Sequence, residues 1–503
     1  MRLQILAAAT TLTLALAGCA NSDGLRPSGS LLDPTTLKAE QSLAAVRAPA
    51  TPWPASDWWT GLGDAQLNAL ITEALQDNPS LAEADARARG AQAQADVANA
   101  ARLPSINASA SVSGARIPAT VIPGGHFNVA KYGYASFKWG LDLWGGKRAA
   151  WQAALGATRA ADVEAQAARV ELSGNVARAY AQLGYAFVQQ DLSGAEWQRA
   201  TTARKLTQQR VSAGIDNQIQ LNQGDAEVAS AEQQQALAKR AVDAARSALS
   251  VLLGKGPDRG RSIARPQQLQ PSALAVPDNL SVGLLGHRAD LVAARWRVEG
   301  LEKNIKAAKT EFLPNISLGA MAGVIRLGGG NPLTLPARFY QFGPSISLPI
   351  FDGGRLRANL AGQDAQYDVA VAQYNQALVG ALNQVADDVS AAQSLQEQLA
   401  AAQRARHAAR QAWDLAQQRY RAGIGSYLES LSVRQQLLIA ERDVAALQAQ
   451  QVDLSVQLIQ ALGGGYRPAA LPDDGNASHK QTASAAHANG SASAARPSTP
   501  SRD

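Results

Sequence analysis

The sequence predicts an α+β membrane protein built as a tandem duplication. Its expected form is a trimeric 12-stranded transmembrane β-barrel, four strands per chain, on a long α-helical coiled-coil barrel. Three observations carry this expectation: landmarks recur at an offset near 209 residues, two pairs of segments alternate apolar with small polar residues, and two stretches of about 67 residues lack proline. The chain has 503 residues, 46% hydrophobic and 17% charged, enough apolar material for a sizeable core and too much for a wholly disordered chain. Forty-seven Lys+Arg against 41 Asp+Glu leave +6, with no basic run, so a nucleic-acid partner gets no support.

The first element is a signal peptide over residues 1–18. Arg2 precedes the apolar run Leu3–Leu16, which is too short to span a bilayer and ends in small residues. Cys19 is the only cysteine, so neither an intrachain disulfide nor a multi-cysteine metal site is available. Leu16-Ala17-Gly18-Cys19 resembles the bacterial lipobox, whose cysteine is lipidated and becomes the mature N-terminus. The alternative is a chance cysteine beside an ordinary cleavage site. Acyl chains would hold residues 19–63 on a membrane, each buried CH₂ contributing about 0.8 kcal/mol. By analogy with lipoprotein sorting, Ala20 after the cysteine implies delivery to the outer membrane.

The repeat landmarks come next. Leu103-Pro104-Ser105-Ile106 matches Leu313-Pro314-Asn315-Ile316, Gly145-Gly146 matches Gly353-Gly354, Gly214-Ile215 matches Gly423-Ile424, and Leu253-Gly254 matches Leu462-Gly463. These place one repeat at 64–254 and a second at 280–465, with a linker over 255–279 and a disordered tail over 466–503. Within each repeat the expected order is helix, hairpin, long helix, helix. Asn78 and Pro79 form a helix start, and Pro104 ends that helix. In the hairpin at 103–143, Ile106, Ala108, Ala110 and Val112 alternate with Asn107, Ser109, Ser111 and Ser113. In the hairpin at 313–351, Ile316, Leu318, Ala320, Ala322 and Val324 alternate with Asn315, Ser317 and Gly319, and the return strand reads Tyr340, Phe342, Ile346, Leu348 and Ile350. Period-two alternation marks strands between an apolar medium and water; a soluble sandwich alternates the same way, so strands alone do not choose. The Gly/Pro-rich tips, 117–130 and 326–337, lack the Gly-Lys-Ser/Thr of a phosphate loop.

Each proline-free stretch, at 1.5 Å per residue, makes a helix of about 100 Å. Tyr374, Leu378, Leu382, Val385 and Val389 keep helical spacing. In the last helix Leu431, Leu438, Ala445, Val452 and Ile459 repeat every seven residues, as do Val433, Ala440, Leu447, Leu454 and Ala461. Seams displaced by two residues lie about 200° apart, so this helix expects a neighbour on each flank. Burial on two sides within a soluble bundle is the alternative. Four strands cannot close a barrel, whereas three chains supply twelve.

With these elements in place the sequence resembles the TolC/OprM-type outer-membrane factors, in the lipoprotein branch serving RND-type tripartite efflux systems. The residues that carry the resemblance are Trp58-Trp59, Asn78-Pro79-Ser80-Leu81, Leu348-Pro349-Ile350-Phe351-Asp352-Gly353-Gly354-Arg355 and Gln418-Arg419-Tyr420-Arg421-Ala422-Gly423. It implies a homotrimeric exit duct for small molecules, anchored in outer-membrane lipid above a periplasmic tunnel. A periplasmic membrane-fusion adaptor and an inner-membrane RND-type transporter would dock at the lower end. It further implies a periplasmic gate at Tyr427, Leu428, Glu429 and Ser432: three Leu428 side chains as an apolar ring able to dewet, and three Glu429 carboxylates favouring cations. Ser432 stands where the family often has aspartate, and Asp216 at the matching turn is a further candidate charge near the mouth. For these residues seam packing and solvated helix-end charge remain alternatives. Ala289 departs from the family's proline at the second helix start.

Catalysis finds no support. The histidines at 126, 287, 407, 479 and 487 form no His-Glu-x-x-His pair, no Gly-x-Ser-x-Gly turn occurs, and Asp387-Asp388 diverge by about 100° on a helix. No cofactor or metal is expected. The same channel plan serves type I protein secretion, and a lipid-anchored structural coiled coil is the alternative from another class.

Overall fold

The computed structural model describes residues 22–39, 41–43, 52–116, 118, 120, 127–271, 280–327, 333 and 337–467. Cys19, most of both hairpin tips, His126, His479, His487 and residues 468–503 lie outside the described residues. The described residues up to Tyr466 form one compact unit.

Its elements are α1 (Ala65–Leu75), α2 (Pro79–Ala100), β1 (Ser105–Arg116), β2 (Phe127–Gly140), α3 (Gly146–Ser212), α4 (Gln218–Leu252), α5 (Pro257–Arg261), α6 (Leu280–His287), α7 (Ala289–Thr310), β3 (Asn315–Leu327), β4 (Arg338–Ser347), α8 (Arg355–Arg421) and α9 (Tyr427–Ala461). The order short helix, helix, hairpin, long helix, helix occurs twice. Each local start has a physical reason. The Asn78 side chain accepts from Ser80 N–H at 3.0 Å and Pro79 follows at the first helical position. Arg288, at the equivalent site before α7, makes no side-chain cap. Both 67-residue helices open on a left-handed glycine, Gly145 (φ 73°) and Gly354 (φ 88°), a conformation costly for residues with a Cβ. Asp142 accepts from the N–H groups of Lys147 and Arg148, and Asp352 from those of Gly354 and Leu356, so a carboxylate sits at each positive helix start. Gly146 lies against the Thr310 side chain, and Gly353 is also left-handed at φ 65°.

The four strands form one antiparallel sheet in the order β1-β2-β3-β4. The register sets Ile106, Phe137, Ala320 and Phe342 in one row and Ala108, Ala135, Ala322 and Tyr340 in the next, all on one face. The opposite face is small and polar near the helices, with Asn107 opposite Ser136 and Ser317 opposite Ser345. Toward the tips it changes: Tyr132, Tyr134, Ile325 and Phe339 occupy it. The return strand also ends earlier than its alternation suggests. Pro349 has no N–H to donate, and β4 stops at Ser347, leaving Leu348 and Ile350 beyond the sheet as exposed residues.

Two cores lie beside the long helices. The first joins Trp58, α1 and Leu81 to Val176, Tyr180 and Leu183 of α3, Leu249 of α4, and Ile263 and Leu269. The second joins α6 and α7 to Tyr374, Leu378, Leu382, Val385 and Val389 of α8. Helix α9 reaches both, placing Val452 and Val456 in the first and Leu458 and Ala461 in the second. The segment after α4 contributes to packing through α5, Ile263 and Leu269. Asp64 organises the first core. It caps α1 by accepting from Gln66 and Leu67, and accepts also from Tyr180 Oη at 2.9 Å and Gln267 N at 3.1 Å. No described helix is long and apolar enough to cross a membrane.

Candidate functional site

The candidate gate is the end of the two helix hairpins α3–α4 and α8–α9. Both turns use the same backbone device. Gly214 (φ 75°) and Gly423 (φ 78°) adopt the left-handed conformation, while Ile215 N–H and Ile424 N–H reach back to the Arg210 and Arg419 carbonyls at 2.9 and 3.0 Å. The next helices are capped differently. Asn217 and Gln220 form a reciprocal capping box on α4, whereas Ser426 accepts from Glu429 N–H at 3.0 Å on α9.

Of the residues at the second turn, Leu428, Glu429 and Ser432 are exposed on α9, Leu428 by 64% of its surface. Tyr427 is not. It is buried, packs on Tyr420 with ring centroids 5.6 Å apart, and donates its hydroxyl to Glu227 Oε2 of α4 at 3.0 Å. Burial first, and the adjacent Glu227 carboxylate, push the phenol above its ordinary value. Tyr427 is therefore a tie between the two hairpins, its side chain enclosed within the chain. Asp216 also departs from expectation. Arg210 donates to both its carboxylate oxygens, at 2.8 and 3.2 Å, and the Asp216 side chain is only 4% exposed. Six residues of separation across a glycine turn bring the two together. Asp216 thus carries an internal ion pair and not a free charge at the mouth.

Behind Tyr427 stands a buried charge network that no sequence motif marks. Arg434 of α9 donates to Glu196 of α3 at 2.8 Å and lies 3.6 Å from Glu441, all three side chains being about one-tenth exposed. Arg199 pairs with Glu196 at 2.6 Å and with Glu227, while Arg410 of α8 pairs with Glu441. Trp413 of α8 lies between two of these guanidiniums, Arg199 at 5.9 Å and Arg434 at 5.7 Å from its ring. Burial alone would lower the Arg199 pKa, and Glu196 and Glu227 more than offset it. Four helices are thereby joined through side chains with few other partners. Breaking one leaves a desolvated charge, which costs more than an exposed pair. The individual residues carry no motif; only the register of α3 against α9 reveals the set. Among the described residues no group of three or more His, Cys, Asp or Glu side chains could hold a metal ion.

Comparison with known proteins gives this geometry its context. A family model described as outer membrane efflux protein matches residues 70–255 and again 280–464. The fusaric acid resistance protein FusA of Burkholderia cepacia is 35% identical over 367 residues, covering 71% of this chain and 69% of that protein. The multidrug resistance outer membrane protein MdtP of Escherichia coli K12 is 30% identical over 447 residues, covering 86% of this chain and 91% of its own length. The crystal structure of the outer membrane protein VceC from Vibrio cholerae superposes with a TM-score of 0.75 at 36% identity, covering 82% of this chain and all of that one. With the family model matching both helix–hairpin–helix repeats and these relatives aligned along most of their length, the chain belongs to the outer membrane efflux protein family.

Proposed function

We propose that three copies of this chain close into one 12-stranded transmembrane barrel, continued below by a tube of α3, α4, α8 and α9. The duct is the passive outer exit of a tripartite pump. The observation that carries this reading is the open sheet. β1 and β4, of 12 and 10 residues, each leave one long edge without a strand partner among the described residues. Long unpaired edges invite association. Pairing β4 of one copy with β1 of the next removes every edge, and with four strands per chain three copies give an even, closable number. One face of that sheet presents Ile106, Phe342, Tyr340 and Ile346, each at least 70% exposed, as a lipid-facing surface requires.

At the lower end Leu428 and Glu429 would form rings of three, with Ser432 one turn further in, while Tyr427 and the Arg434 network hold the α8–α9 hairpin against α3–α4. Ile215, Ile219, Ile424 and Leu428 are exposed apolar residues at the hairpin ends, a surface suited to a periplasmic membrane-fusion adaptor, with an RND-type transporter delivering cargo. The names of FusA and MdtP support small toxic organic molecules as that cargo. Cys19 would carry the lipid anchor. Planar-bilayer recording tests the reading: the wild-type protein should give a trimeric, mostly closed channel, and Leu428→Ala should raise its conductance. A compact monomer without conductance would overturn it.

A further inference from the structure

The two β-hairpins have an unusual charge inventory. Residues 103–141 and 313–351 contain no Asp or Glu, yet carry Arg116, Lys131 and Lys138 in one and Arg326 and Arg338 in the other. The register sorts these five. Lys131 lies opposite Arg326, and Arg338 lies opposite Val324, two residues from Arg326 along β3. Arg116 lies opposite Phe127, closer to the tip. All four share the face that bears Ile106, Phe137, Ala320 and Phe342, whereas Lys138, opposite Ser105, is on the other face.

Their height is as specific as their face. Arg326 lies ten residue steps along β3 from Ile316, which is in the lowest apolar row opposite Ile346. At about 3.4 Å per residue and a strand tilt of about 40°, that is about 26 Å, close to the ~25 Å apolar band of an outer-membrane barrel. The cations therefore stand where the hydrocarbon ends on the side away from the helices.

We propose that Lys131, Arg326 and Arg338, with Arg116 above them, form a rim that binds the headgroup phosphates of anionic lipids in the outer leaflet. This rests on the barrel reading above. Guanidinium groups match phosphate oxygens two at a time, and neighbouring strands supply several donors at one level. The rim would fix the depth of the barrel and seal lipid against its wall.

The test uses the purified full-length protein in detergent, titrated with diphosphorylated lipid A and read as lipid bound per assembly by native mass spectrometry. The triple variant Lys131→Gln, Arg326→Gln, Arg338→Gln should bind about a hundredfold more weakly, at roughly one factor of five per basic residue near a lipid surface. Arg338→Gln alone, at an exposed edge-strand position, should weaken binding several-fold and serves where the triple variant does not fold. Lys138→Gln, on the opposite face, should bind as wild type does. Lipid A stripped of both phosphates should not bind, and excess inorganic phosphate should not displace the lipid. Unchanged binding by Arg338→Gln, an equal loss with Lys138→Gln, or binding of the phosphate-free lipid would overturn the proposal. Full displacement by inorganic phosphate would overturn the lipid as its source. Conductance of the same preparations separates the two readings: a conducting wild type with unchanged lipid binding in the variants refutes the rim alone, and a wild type that neither assembles nor conducts refutes the barrel and the rim together.

Discussion

Replacing Arg434 by Met keeps the bulk of the side chain and removes its charge. The arginine is about one-tenth exposed, donates to Glu196 at 2.8 Å, and lies 3.6 Å from Glu441. A hydrogen bond to a charged group contributes about 1.5–3 kcal/mol. Glu196 retains Arg199 and Glu441 retains Arg410, so the loss should stay in this range and not reach the ~3–5 kcal/mol of a fully orphaned buried charge. If the bond between α3 and α9 exists only while the mouth is closed, that energy leaves the closed state alone. The open-to-closed ratio then rises by about ten- to hundredfold per chain. Single-channel recording measures this ratio directly. Glu196→Gln should have a similar effect, and the double variant should add little, because both remove one contact. Arg259→Met, which breaks the pairing with Glu73 on α1 at 2.7 Å, is the control far from the hairpin ends. A lowered melting temperature with unchanged open probability in Arg434→Met would show that the bond supports the fold and does not restrain the gate.

Three further outcomes follow from single residues. Asp388 is 8% exposed with Oδ2 lacking a hydrogen-bond partner, and burial, with Asp387 beside it, pushes its pKa up to about 6 against some opposition from Arg288. A raised carboxyl pKa penalises the folded state above the unfolded value of 3.8: the penalty is absent below about pH 4, grows to about pH 6 and then stays constant. Asp388→Asn should therefore raise thermal stability at pH 7.5 by on the order of 2 kcal/mol, with the gain vanishing at pH 4 in melting curves. Asp368 behaves in the opposite sense. It accepts from the N–H groups of Gly29 and Ser28 at 2.7 and 2.9 Å, and these bonds hold its pKa below 3.8. The N-terminal strap along α8 should stay protected at pH 5 and above and loosen as pH falls through the lowered value, whereas Asp368→Asn should leave it loose throughout; hydrogen exchange of residues 28–32, corrected for intrinsic rates, reads this. Gly156 of α3 abuts α7, where an added Cβ would come within 2.9 Å of Gly300 Cα and 3.1 Å of the Trp296 carbonyl. Gly156→Leu should destabilise by about 1–3 kcal/mol or more, seen as a lower melting temperature.

The helical frame was legible because its signals are local. Asn78-Pro79 opens α2, Gly145 and Gly354 open the 67-residue helices, and glycine turns end them, each within a few residues of sequence. Helix α1 lies outside the expected order of elements, although Asp64 stands before Leu67, Leu70, Ile71 and Ala74 at helical spacing; the stronger Asn-Pro signal follows at once and masks it. The candidate gate was legible only in part. The family resemblance at the Tyr420-Arg421-Ala422-Gly423 turn puts the expectation on Leu428 and Glu429, yet nothing local reveals that Arg434 meets Glu196, 238 residues away, or that Tyr427 turns toward Glu227. These contacts depend on the axial register of helices from different repeats. Asp216 failed for another reason. A helix-end carboxylate ordinarily meets water, but the left-handed Gly214 folds the turn back so that Arg210 reaches it.

The duplicated hairpins are chemically unequal at the end proposed as the gate. At the first turn the one carboxylate is consumed by Arg210, and α3 and α4 are tied to each other through Arg199 with Glu227 and Arg204 with Asp225. Both hairpins are internally cross-linked, α8–α9 through Arg410 with Glu441. The second hairpin exposes Leu428, Glu429 and Ser432, and its polar ties through Tyr427 and Arg434 run across to the first. Movement that separates the hairpins would break the cross-ties and leave the internal ones intact, so each hairpin would move as a unit. Two hydrogen bonds to carboxylates amount to about 3–6 kcal/mol per chain, or on the order of 10 kcal/mol or more for the three chains of the proposed trimer opening together. Spontaneous opening would then be rare. A docked partner must supply binding energy of that order, comparable to a sub-micromolar interface, and it can do so only by favouring the separated arrangement over the closed one.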